Sequence, residues 1–288
     1  MSGVSKKLVV FGGSGFLGSR ICQAAVNRGW DVTSISRSGQ PTWTSVSSSA
    51  NPPPWSHRVA WERADIFRPP QWTPLLANAD YVVHSMGILL EADYKGLVSG
   101  RDSPLAALKR NFSPRHTPNP LDPESTLTAN PPTEASQLTY ENMNRDSAIL
   151  LAKEAAKEKV KVFGYISAAG GAPVLPSRYI TTKREAEDII AREFTVMRNV
   201  FFRPAFMYDS SRAFTVPLAV ATTASSAAAK FLPGFVKDFM GSAAVRPLPA
   251  DTVAEAVVEG LSEASVRGPV EVEQLEELAN KGWRKSML

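Results

Sequence analysis

The apolar run Leu8-Val-Val-Phe11 is followed by Gly12, Gly13, Gly15 and Gly18, then by apolar residues at helical spacing as far as Arg28. A short, uninterrupted, β-branched run suits a parallel strand buried on both faces. The pattern therefore predicts a strand (Leu8 to Phe11), a glycine turn, a helix (Leu17 to Arg28, stopped by Gly29) and a second strand (Asp31 to Ser36). From Ser38 to His57 the pattern gives way to Ser, Pro and Thr, and a surface loop is expected there. Order returns with a strand at Arg58 to Trp61, a turn at Ala64 to Ile66, a short helix over Gln71 to Asn78 and a fourth strand from Tyr81 to Gly87.

Prolines at 104, 114, 118, 120, 123, 131 and 132 then interrupt a polar stretch, so the segment 91–139 reads as a long insertion. Loops of that length in a compact domain are functional or disordered; a lid, a docking segment and plain disorder all remain open. Tyr140 to Lys159 restores helical periodicity, with Met143, Ala148, Leu151, Ala152 and Ala155 on one face. A fifth strand (Val160 to Ser167), a helix from Tyr179 to Arg192 and a sixth strand before Arg203 follow. Apolar clusters between Ser210 and Pro247 suit a small substrate lobe, or simply that lobe's core. A late helix follows with Asp251 as its N-cap, and a charged C-terminal helix is expected on the surface over 260–288. The expected fold is α/β, a Rossmann-type doubly wound parallel sheet in one domain over 1–288, with a small C-terminal substrate lobe at about 208–250.

Composition narrows the function without naming it. The 288 residues carry 43% hydrophobic and 21% charged residues, ordinary for a globular chain. The net charge of +4 is scattered, with no basic run interleaved with aromatics, so nucleic acid is a poor partner. Cys22 is the single cysteine, which excludes an intrachain disulfide and a cysteine-based metal site; no metal is expected. The first strand begins so early in the sequence that neither a signal peptide nor an Arg-rich presequence is expected within it. The longest uncharged run, Ala213 to Ala229, is rich in Thr, Ser and Ala and contains Pro217, so no spanning helix is expected.

The glycine turn satisfies the dinucleotide-binding pattern in its confirming context of strand, turn, helix and strand. Gly12, Gly13, Ser14, Gly15, Phe16, Leu17 and Gly18 would cradle a pyrophosphate on the free N–H groups of the helix start. The second strand ends in Ser36-Arg37-Ser38 rather than in a carboxylate for a ribose 2′-OH. A guanidinium flanked by hydroxyls suits a 2′-phosphate, so NADP(H) is favoured over NAD(H); a solvated arginine is the plainer alternative. Asp65 could meet the adenine or cap the next turn. Ser85, Met86 and Gly87 lie where the fourth strand would meet the cofactor, and His84 reads as a core histidine. Tyr179 and Lys183 are four apart and share a helix face, twelve positions after Ser167 at the end of the fifth strand. A phenol ordinarily titrates near pH 10, and a neighbouring ammonium would lower that value while Ser167 holds the substrate oxygen.

These residues resemble the short-chain dehydrogenase/reductase superfamily in its extended or atypical branch. The resemblance takes in Asn144 and the segment Arg203-Pro204-Ala205-Phe206, in which Ala205 stands where the family has Gly. It implies that Ser167, Tyr179 and Lys183 are catalytic, and that Lys183 and Arg203 to Phe206 also border the cofactor. More narrowly, the segments around Gly12, His84, Tyr179 and Arg203 resemble a fungal mitochondrial group of NAD(P)-binding proteins that accompany the coenzyme Q biosynthetic complex. That group is similar to the nucleotide-binding accessory subunit of respiratory complex I. The narrower resemblance implies a place on the matrix side of the inner membrane, peripheral rather than integral. It implies coenzyme Q biosynthetic proteins as partners and a prenylated quinone precursor as substrate. The chemistry implied is hydride transfer on an apolar, quinone-type molecule; a cofactor-binding structural or regulatory subunit is the rival.

Overall fold

A computed structural model describes residues 5–47, 49–88, 119–122, 132–133, 137–170, 177–209 and 246–287. Most of the expected 91–139 insertion, and the part of the expected lobe between Asp209 and Arg246, lie outside the described residues.

The first half runs β1 (Lys7–Phe11), α1 (Phe16–Asn27), β2 (Asp31–Ser36), α2 (Trp43–Val46), β3 (Val59–Arg63) and β4 (Tyr81–His84). A π-helical turn over Glu141–Asp146 leads into α3 (Ser147–Lys157), then β5 (Val162–Ile166), α4 (Ser177–Glu193) and β6 (Arg198–Phe202). The chain closes with β7 (Met207–Tyr208), β8 (Leu248–Pro249), α5 (Ala250–Ser262), β9 (Gly268–Val270) and α6 (Val272–Ser286). Seven strands form one parallel sheet in the order β3-β2-β1-β4-β5-β6-β9, with Leu8 opposite Val32 on one side and Tyr81 on the other. This is the Rossmann-type doubly wound sheet expected from the sequence, and the order turns back at β1 and β4.

Both faces are covered, which is why the strands are apolar throughout. Leu8 and Val10 point into a core shared with α1, α5 and α6, while Val9 and Phe11 point into a second core with α3 and α4. The α1 helix ends at Asn27, and Gly29 follows at φ +75°, the left-handed stop that glycine takes without strain. Cys22 is fully buried in the first core, and burial raises its thiol pKa, so it packs as a small apolar group.

Four expectations are corrected. The loop after β2 holds α2 and a 3₁₀ turn (Pro54–Arg58), because Trp43, Trp55 and Trp61 pack edge to face or tilted against one another at 5.8–6.3 Å. The short helix over Gln71 to Asn78 is instead two 3₁₀ turns, Pro69–Gln71 and Thr73–Leu76, since Pro69, Pro70 and Pro74 break the α-helical ladder. Asp251 is the second residue of α5, whose N-cap is Pro249; its carboxylate instead pairs with Arg20 Nε at 3.1 Å. The chain end is not one surface helix, because β9 joins the sheet beside β6 and α6 buries Leu275, Leu278 and Ala279. Among the described residues no helix is long and apolar enough to cross a membrane.

Candidate functional site

Every residue of interest lies at the C-terminal edge of the parallel strands, where the order of the sheet turns back. The chain leaves β1 at Gly12, whose φ of +84° turns it sharply, and Gly12 N–H donates to Ile35 O at 2.8 Å. A side chain on Gly12 would lie 2.9 Å from Ser85 O, and one on Gly18 only 2.1 Å from Gly12 O. Both contacts are with backbone, so the turn, the start of α1 and the end of β4 close on each other only with glycine there. Gly15 occupies the N-cap of α1 and offers no side chain to the first N–H groups, and the first turn carries no acid. Gly12 to Gly18 thus form a helix start shaped for an anionic group. Within it the Leu17 side chain is buried in the core and Phe16 lies under the Arg20 guanidinium at 4.5 Å, which leaves their backbone to face the cleft.

The end of β2 continues this surface. Ser38 Oγ donates to Ser14 Oγ at 3.1 Å, Ser36 Oγ donates to Gly39 O at 2.8 Å, and Arg37 is exposed with Nη1 3.4 Å from Gln137 Oε1. Arg63, the last residue of β3, stands directly opposite Ser36 and is also exposed. The sequence reading missed Arg63 because it ended the third strand at Trp61; two more residues of alternation would have brought it to Arg63. Asp65 is engaged inside the protein, accepting Phe67 N–H at 3.1 Å through one oxygen and Gln137 Nε2 at 2.9 Å through the other. At the end of β4, Ser85 N–H donates to Phe11 O, while Ser85 Oγ is buried without a partner among the described residues. The backbone cradle and this orphaned hydroxyl fit a dinucleotide lying across the turn. Met86 packs against the second core, and a side chain on Gly87 would lie 3.0 Å from Asn144 Oδ1 and 3.5 Å from Lys183 Nζ.

Asn144 projects from the π turn, a feature that recurs at functional sites. Its amide holds Ile88 on both sides, accepting N–H at 3.0 Å and donating to C=O at 3.3 Å. The turn is held from below: Ser147 Oγ donates to Met143 O at 2.9 Å and contacts His84 Nε2 at 2.8 Å, and the Tyr165 hydroxyl donates to Asn144 O. Burial, with Lys183 adding to it, pushes the His84 pKa down to about 3, so His84 is a neutral core histidine as read.

The three expected catalytic residues come together from β5 and α4. Lys183 Nζ donates to Ile166 O at 2.8 Å and stands 5.6 Å from the centre of the Tyr179 ring. Burial, reinforced by Arg184 and opposed by Glu187, pushes Lys183 down to about 7. Tyr179 is pushed up to about 12, first by burial and then by Tyr140. The lowering expected from Lys183 is not found; Arg184 is the cation that pulls the phenol down, and burial outweighs it, since removing a phenolate from water costs more than that cation returns. Ser167 Oγ accepts Arg184 Nη1 at 3.0 Å, and Arg184 also holds Ala168 O at 2.8 Å and Glu187 at 2.7 Å. Glu187 in turn binds Arg203, whose Nη1 reaches Glu271 at 2.6 Å. Arg203 is therefore a bracket between β6, α4 and the start of α6, while Pro204 O accepts Ala169 N–H at 2.9 Å and Phe206 O accepts Leu248 N–H at 3.0 Å. Ala205 and Phe206 are half-buried just beyond β6. Arg184 was missed because only its neighbour Lys183 carries a motif; no spacing signalled it.

The NAD dependent epimerase/dehydratase family matches residues 8–93. The chain is 42% identical over 219 residues to MIOREX complex component 2 of Saccharomyces cerevisiae, covering 72% of this chain and 74% of that protein. Among solved structures it is similar to UDP-N-acetylglucosamine 4-epimerase from Bacillus cereus, with TM-score 0.53 and 15% identity over 96% of this chain and 83% of that one. It is also similar to UDP-glucose 4-epimerase from Bifidobacterium longum, solved with NAD+ and UDP, with TM-score 0.54 and 16% identity over 92% and 76% of the two chains. At these identities the solved structures speak for the fold alone.

Proposed function

We propose, from the premise that this chain belongs to the short-chain dehydrogenase/reductase superfamily and to the family of yeast MIOREX complex component 2, that it is an NADP(H)-dependent oxidoreductase working within a protein assembly. One observation carries the catalytic reading: Tyr179 and Lys183 lie one turn apart on α4, with Lys183 Nζ on Ile166 O, the residue before Ser167, and close to Gly87 at the end of β4. The bound cofactor would supply or accept a hydride. Tyr179 exchanges the proton at the substrate oxygen, Ser167 donates a hydrogen bond to that oxygen, and Lys183 stabilises the phenolate left after donation. Following the family resemblance, the substrate is an apolar quinone-type molecule of coenzyme Q biosynthesis. The setting is the matrix side of the mitochondrial inner membrane, held peripherally. The rival reading, a cofactor-binding subunit without turnover, draws support from the relative's name as a complex component.

The preference for NADP(H) rests on Arg37 and Arg63 framing the hydroxyls of Ser36 and Ser38. Arg37→Ala and Arg63→Ala are each expected to weaken NADPH binding about tenfold, as for an exposed charge-assisted contact, and to leave NADH binding unchanged. Fluorescence titration with both cofactors reads this directly. Equal loss of both would mean that the arginines support the fold rather than a 2′-phosphate, and binding of neither cofactor by the wild type would remove the oxidoreductase reading.

The reduction rate should depend on the charge of Lys183. Below its pKa of about 7 the ammonium stabilises the phenolate left by Tyr179, so kcat/KM for reduction is expected to fall as pH rises through that value. In Lys183→Met the break near neutrality disappears and the profile follows the lower, pH-independent limb.

A further inference from the structure

We infer that Arg184 is a substrate-binding residue and that the substrate carries a carboxylate beside its reacting carbon–oxygen bond. This rests on the catalytic reading above and deepens it, giving the apolar substrate one acidic group. Arg184 holds its guanidinium between Ser167 Oγ, Ala168 O and Glu187, with Nε and one Nη2 N–H lacking a partner among the described residues. Its side chain keeps 28% of its surface open, whereas Glu187 is closed at 3%. That carboxylate is shared, since Arg203 binds it through Nε at 3.1 and 3.2 Å and through Nη2 as well. Among the described residues the carboxylates facing Lys183, Arg184 and Arg203 are therefore Glu187 and Glu271, and Glu271 is itself half exposed and paired with Arg203. While Lys183 is protonated one positive charge is left over among these groups, and the Arg184 guanidinium meets Ser167, where the reacting oxygen would sit.

The hydrogen-bond direction adds to this. Ser167 Oγ accepts from a guanidinium, so its own proton is free to donate, and it has no acceptor among the described residues. Ser167, Arg184 and Tyr179 then each have a donor to offer. A neutral carbonyl flanked by hydrocarbon would leave the Arg184 Nε–H and its second Nη2 N–H without an acceptor as the substrate displaces water, which is costly. A carboxylate meets a guanidinium through two parallel hydrogen bonds and suits the donors that remain.

Benzoate and benzamide test the assignment, being of nearly equal shape and differing in charge. Calorimetric titration of the full-length wild type, alone and with saturating NADP+, is expected to give saturable benzoate binding at least tenfold tighter than benzamide. Arg184→Gln should lose about ten- to hundredfold of the benzoate affinity, and Arg184→Lys should recover part of it, with NADPH affinity and melting temperature held. Equal affinities for the two probes, or no saturable benzoate binding, overturn the proposal, and that comparison needs no variant. A chain that binds benzoate through Arg184 but no cofactor would instead overturn the oxidoreductase reading. The two failures are therefore distinguishable.

Discussion

Replacing Arg178 with methionine is expected to lower the unfolding free energy by about 3–5 kcal/mol, because it leaves the Glu141 carboxylate buried without its cation. The pair is closed from solvent on both sides, at 10% and 4% side-chain exposure, and Arg178 Nη2 lies 2.6 Å from each carboxylate oxygen with Nε at 3.2 Å from one of them. The Coulomb term of such a pair offsets desolvation only while both members are present. Glu141→Leu added to Arg178→Met should therefore recover most of the loss, since two apolar side chains carry no charge to solvate. Urea denaturation followed by circular dichroism measures both variants, and a shift in midpoint at constant slope is the expected form. A loss below about 1 kcal/mol in the single variant would mean that water reaches the carboxylate. The position matters for the site as well. Arg178 precedes Tyr179 at the start of α4, and Glu141 follows Tyr140 in the π turn that carries Asn144. The pair thus ties α4, which carries Tyr179 and Lys183, to the π turn that carries Asn144.

What the sequence disclosed follows a physical line. Patterns of apolar residues report burial, so β1, α1, β2 and α4 were readable within a residue or two, whereas α3 starts at Ser147 rather than Tyr140 because Glu141–Asp146 form a π turn; the glycine turn was readable because backbone contact at Gly12 and Gly18 admits no side chain. Short elements held by neighbours distant in sequence were not. The edge strand β9 has three residues including Pro269, and it exists because Val200 and Phe202 offer it a ladder. The tryptophan cluster that orders the loop after β2 unites Trp43, Trp55 and Trp61 across an apparently featureless Ser/Pro stretch. At the site, spacing put Tyr179 and Lys183 on one helix face and Ser167 at a strand end, and the resemblance to the superfamily supplied the catalytic role expected of them. The pairing of Arg184 with Ser167, and of Arg203 with Glu187 and Glu271, depends on how β5, α4 and β6 pack, and no local pattern encodes it. The sign of the pKa shifts lay out of reach for the same reason: spacing gives the cation beside the phenol, while burial, the larger effect here, is a property of the assembled core.

Tyr179→Phe is expected to reduce turnover by about 10²–10⁴-fold, the usual worth of a positioned proton donor, while leaving NADPH affinity and melting temperature unchanged. The structural cost is small because the Tyr179 hydroxyl has no hydrogen-bond partner among the described residues, so phenylalanine leaves no buried group unsatisfied. Its pKa of about 12 keeps the phenol protonated at neutral pH, which makes it a loaded acid for the reductive direction. Oxidation needs the phenolate, and each unit by which the pKa must fall requires about 1.4 kcal/mol of preferential stabilisation. The positive ring of the oxidised cofactor and a protonated Lys183 are the groups placed to provide it. Reduction should therefore be the easier direction near neutrality, and the oxidative rate should climb with pH up to the phenol's pKa in the ternary complex. The same variant separates the catalytic reading from its rival. In cells carrying Tyr179→Phe, lost quinone synthesis with the assembly intact means that proton transfer is required. Unchanged quinone synthesis would leave the chain as a cofactor-binding subunit, with the burial that raises Tyr179 serving only the packing of α4.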